Sequence, residues 1–144
     1  METLGSLMDK LSIETTRVKD MRGREVPQEL IEKVENKINN LKSEINDYIG
    51  AAIRGDVPLE EPKFKIYKNE DASGDNLITV ADAMSRLIEA NQTLWNLEDK
   101  RRDKKNFTDQ ERLAAADSIG TWNRVRNDAM DAINSNLAAM IFKK

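Results

Sequence analysis

At 144 residues, with 39% apolar and 34% charged side chains, the chain is long enough to bury one core without covalent staples and has the make-up of a helix-rich soluble protein. Its 23 basic residues against 26 acidic ones leave a net charge of -3, which gives no reason to expect nucleic acid as a partner. The sequence has neither Cys nor His, which excludes disulfides, thiolate nucleophiles, zinc clusters, Ser-His-Asp triads, Glu-x-x-His di-iron sites and imidazole switches; any metal would be a hard cation held by oxygen.

The first predicted helix begins after Thr3 as N-cap and runs to about Arg22, with Leu4, Leu7, Met8, Leu11, Thr15 and Val18 on one stripe and Gly23 as its stop. Pro27 suits the first turn of a second helix. There Ile31, Val34, Ile38, Leu41, Ile45, Tyr48 and Ala52 recur at alternating steps of three and four, the strongest helical signal in the chain. Glu32, Glu35, Glu44 and Asp47 centre on the opposite face of that helix and are expected in water. No stretch is long and apolar enough to cross a bilayer, and residues 1–10 lack a basic segment followed by an apolar core, so a cytoplasmic protein without membrane contact is expected.

Residues 54–78 hold two prolines and two glycines, too much punctuation for a helix. Within them Phe64, Ile66 and Tyr67 are candidates for a contact with a second copy of the chain. Asp71, Ser73, Asp75 and Asp82 fall at spacings that suit a calcium loop, although Asn76 stands where such loops want Gly. The other reading makes Thr79 and Asp82 a helix cap and the rest a polar turn, and it is the stronger of the two. A third helix follows, with Val80, Ala83, Met84, Leu87, Asn91, Leu94 and Glu98 inward. A fourth opens on the capping box of Thr108 and Glu111 and turns Ala115, Ile119, Trp122, Arg126, Ala129, Ile133, Leu137 and Met140 inward.

The chain repeats itself. Residues 3–22 align with 79–98 at an offset of 76, pairing Thr3 with Thr79, Met8 with Met84 and Leu11 with Leu87. The following helix aligns at an offset of 84, pairing Asn39 with Asn123, Asp47 with Asp131 and Ile49 with Ile133. A helix pair that cannot bury its apolar face alone is used twice. The expectation is an all-α, antiparallel four-helix bundle built as a single domain from two related hairpins, 3–53 and 79–142, joined by an irregular crossover over 54–78.

The two copies differ in one respect. On the third helix Asn91, Glu98 and Arg102 fall within about 40° of the centre of the apolar stripe, with Trp95 just beside it. Arg126 lies in the stripe of the fourth helix, with Asn123 on its shoulder, and folding the two helices together sets Asn91 level with Trp122 and Asn123 and Glu98 near Arg112. The first hairpin carries Thr15, Lys19 and Arg22 at the places of Asn91, Trp95 and Glu98. Asn91, Trp95, Glu98, Arg102, Trp122, Asn123 and Arg126 therefore form either a buried network that fixes helix register or a pocket in which an aromatic ring and amides hold a ligand.

The segment from Thr3 to Ile13, the Leu-Trp-x-x-Glu-Asp-x-x-Arg run from Leu94 to Arg102, and Asn123, Arg126, Asn127, Asp128 and Asp131 resemble an uncharacterised family of small helical proteins. Its members occur in phages and in bacteria, some beside surface-polysaccharide glycosyltransferases. This chain has Asn96 where that family often has His. The resemblance implies the helical fold and leaves function open. The expected function is a non-enzymatic binding or assembly module that acts through protein contacts as a homodimer, with no cofactor. The alternative is a nucleotide or sugar-phosphate site on the second hairpin, with or without catalysis.

Overall fold

A computed structural model describes residues 2–57, 59 and 79–142, which form four helices: α1 (Leu4–Arg22), α2 (Gln28–Arg54), α3 (Val80–Arg102) and α4 (Asp109–Phe142). The helix starts follow side-chain chemistry. Thr3 caps α1 in a reciprocal box with Ser6, Thr79 accepts from the Asp82 amide at 3.1 Å, and Thr108 and Glu111 exchange hydrogen bonds at the head of α4. Pro27 stands one place earlier than its first-turn expectation: it is itself the N-cap of α2 and offers no side-chain hydrogen bond. Gly55 ends α2 at φ +79°, donating to the Ala52 carbonyl while the Asp56 amide reaches back to that of Ala51, the hydrogen-bond pair of a Schellman turn.

α1 runs antiparallel to α2 and α4, and it packs against each of the other three helices, while α3 and α4 make the most extensive pairing. The common core gathers Leu4 and Leu7 of α1, Leu41, Ile45 and Ala52 of α2, Ala83 and Leu87 of α3, and Ala129, Ile133 and Leu137 of α4. These residues come from the N-terminal halves of α1 and α3 and the C-terminal halves of α2 and α4, so the core fills one end of the bundle. Leu4, Leu87 and Ile133 are almost wholly enclosed, each worth about 1.5–3 kcal/mol of apolar burial.

α1 reaches α4 through backbone rather than through side-chain bulk. A Cβ on Gly5 would stand 2.5 Å from the Met130 carbonyl oxygen, and the Gly5 amide donates to Asn134 Oδ1 at 2.7 Å. Only glycine permits that crossing. α4 is about 51 Å long at its usual rise and overruns the core, so Met140 is exposed rather than inward as its periodicity suggests. Thr15, also on the expected stripe, is exposed. Phe64, Ile66 and Tyr67 lie outside the described residues, as do Asp71, Ser73 and Asp75 of the calcium alternative.

Candidate functional site

The polar positions singled out in the second hairpin divide between a buried junction and an open cleft. At the junction Asn91, 6% exposed, donates to Asp9 Oδ1 at 3.0 Å and to Ser12 Oγ at 3.1 Å, which uses both amide hydrogens. Arg126 grips the same carboxylate from α4, Nε to Oδ1 at 2.9 Å and Nη2 to Oδ2 at 2.6 Å. The side-chain hydrogen bonds of Asp9, and then its charge, raise the Arg126 guanidinium above its ordinary pKa against the opposing effect of partial burial. Asp9, 4% exposed, thus ties α1 to both helices of the second hairpin.

Beyond this junction lies a cleft of about 340 Å³. Ile13 of α1 closes one side. α3 supplies Asn91, Leu94, Trp95, Glu98, Asp99 and Arg102, and α4 supplies Ile119, Asn123 and Arg126. Six of the seven candidate residues therefore converge, namely Asn91, Trp95, Glu98, Arg102, Asn123 and Arg126. Trp122 is partly buried on α4 and does not line the cleft. Glu98 is held within its own helix, 2.8 Å from Arg101 and 3.4 Å from Arg102, while Arg112 bonds Asp109 and the Arg101 carbonyl instead of approaching Glu98. The cations of the cleft are thus already matched by carboxylates. Among the described residues the Asn123 side chain makes no hydrogen bond, and the Trp95 indole N–H is buried without an acceptor.

Asp9 and Ser12 were missed because the apolar stripe of α1 passes them by. A signal was present nonetheless: Gly5, Asp9, Ser12 and Thr16 recur at steps of four, three and four, a second helix face built of small and polar residues. Glu14 is a further buried acid on α1, bonded to Lys37 of α2 at 3.0 Å, with Arg17 standing 3.5 Å from its other oxygen outside hydrogen-bonding geometry.

Among the described residues no cluster of three or more acidic side chains is placed to hold a metal ion, and Asp82 serves the α3 cap through its backbone amide. No helix among them is long and apolar enough to cross a membrane. Comparison with protein-family models, with curated proteins and with solved structures finds no match to this chain.

Proposed function

We propose that the chain is a non-enzymatic binding module and that the cleft of its second hairpin takes a small, uncharged ligand bearing hydroxyl or amide groups around one flat apolar face. One observation carries this reading. Leu94, Trp95, Glu98, Asp99 and Arg102, five residues of one α3 face, all line a single cleft. Ile13, Leu94, Trp95 and Ile119 supply apolar wall, while the Asn91 side-chain carbonyl oxygen, the Asn123 amide and the Asp99 carboxylate supply hydrogen-bonding edges. Pairing of Arg126 with Asp9 and of Arg102 with Glu98 favours a neutral ligand over a nucleotide or sugar-phosphate.

A thermal-shift screen of neutral sugars and polyols tests the reading, because a ligand that binds only the folded state adds about 2.7 kcal/mol at a hundred times its Kd. Stabilisation that is lost on Asn123→Ala supports it. Stabilisation by phosphate esters alone, or indifference to Asn123→Ala, contradicts it.

Self-association is a second reading, supported by Ile53, Met140 and Phe142, large apolar side chains left more than half exposed where α2 and α4 end.

A further inference from the structure

The internal repeat has a counterpart in the surface. A second cleft, of about 410 Å³, lies in the groove between α1 and α2. Its α1 wall is Thr15, Val18, Lys19 and Arg22, which at the offset of 76 are the places of Asn91, Leu94, Trp95 and Glu98 in the first cleft described. Across the groove stand Glu35, Asn39 and Lys42, which at the offset of 84 are the places of Ile119, Asn123 and Arg126. The duplicated hairpin thus carries its cleft in both copies.

The chemistry has changed between them. Trp95 and Glu98 of one copy are Lys19 and Arg22 in the other, and Asn39 keeps the amide of Asn123. Arg22 bonds Glu35 at 2.7 Å, which consumes the one carboxylate lining this cleft. Lys19 and Lys42 also line the groove and, among the described residues, make no hydrogen bond or ion pair, and the Asn39 amide is likewise unused there. A position in the last turn of α1, where cations offset the helix dipole, accounts for Lys19 and Arg22. It does not account for Lys42, which lies in the middle of α2. Two lysines without a carboxylate partner among the described residues, together with an amide donor, line one concavity and concentrate positive potential there.

We propose that the α1/α2 cleft binds a small phosphate-type anion, held by Lys19 and Lys42 with Asn39 donating a third hydrogen bond. This site stands independently of the ligand assigned to the second hairpin. Lysine suits such a role because its ammonium offers rotatable donors to phosphate oxygens as a point charge.

The test is a titration of the full-length, ¹⁵N-labelled chain with inorganic pyrophosphate, read by amide and side-chain chemical shifts. Saturable shifts centred on Thr15, Lys19, Asn39 and Lys42 are expected. Lys19→Gln and Lys42→Gln should each weaken binding about three- to tenfold. Lys33→Gln, on an exposed position of α2 outside both clefts, should leave it unchanged. Shifts that rise without saturation, that spread evenly over the lysines of the chain, or that survive the double substitution of Lys19 and Lys42 would overturn the proposal. All three substitutions fall on exposed side chains, so the fold persists in each variant.

Discussion

Asp9 accepts three hydrogen bonds from two helices at a nearly closed site, and its removal has a calculable effect. Asp9→Ala strands a partly buried guanidinium and should cost about 2–3 kcal/mol in urea unfolding, less than the ~3–5 kcal/mol of a fully buried pair because 31% of the Arg126 side chain still meets water. A loss below about 0.5 kcal/mol would show that the pair is not formed. Asn91→Leu should cost about 1–2 kcal/mol, since Asp9 keeps Arg126 but loses one donor. That sign reverses the expectation for a lone inward Asn, whose replacement by Leu stabilises a helix pair at the expense of register. Gly5 makes a similar contrast. A helical Gly→Ala change ordinarily gains up to about 1 kcal/mol, and Gly120→Ala, with open space around its Cβ, should show that gain. Gly5→Ala should instead lose about 1–3 kcal/mol, because the new methyl meets the backbone of α4. Equal effects at the two glycines would contradict the close crossing of α1 and α4.

Asp103 organises the link between α3 and α4 by accepting from the Asn106 side chain at 2.9 Å and from the backbone amides of Asn106 and Lys105 at 3.0 and 3.1 Å. The Asn106 side-chain bond, followed by its backbone bond, lowers the Asp103 pKa below the usual carboxylate range. A depressed folded-state value means that the group stabilises the fold above its unfolded pKa and loses that contribution as pH falls through the folded value. An NMR titration of the Asp103 carboxyl carbon should therefore give a midpoint below that of a model peptide; a midpoint at or above it would refute these hydrogen bonds. Elements of this kind were legible in the sequence where a local signal exists. Thr3, Thr79 and Thr108 marked three helix starts, and the stripe from Ile31 to Ala52 marked α2. Pairing between elements was less legible. The Asp9–Arg126 contact joins residues 117 positions apart, and nothing local to either side chain announces the other. Glu98 was set beside Arg112 by counting residues about the turn, whereas a closer Arg101 on its own helix claims it.

At the scale of the molecule, the two hairpins share a core at one end and carry a cleft each toward the other. Helix periodicity made this arrangement partly visible, since it set Asn91, Trp95, Glu98, Arg102, Trp122, Asn123 and Arg126 together in one copy, and all but Trp122 line the cleft. The first-hairpin cleft was less visible, because Thr15, Lys19 and Arg22 do not repeat the side chains of Asn91, Trp95 and Glu98. A second copy covering the exposed Ile53, Met140 and Phe142 would make the chain a dimer in solution. Light scattering that returns the 16.4 kDa monomer from micromolar to millimolar concentration would remove that reading and leave the clefts as the functional surfaces. Binding in the second-hairpin cleft is read by NMR from the Trp95 indole N–H and the side-chain amides of Asn91 and Asn123 while neutral hydroxylated ligands are titrated. At least one such ligand is expected to shift these three signals together and saturably, with the effect abolished by Asn123→Ala. A panel of sugars and polyols that leaves all three unmoved, or that moves them equally in the Asn123→Ala variant, would contradict it.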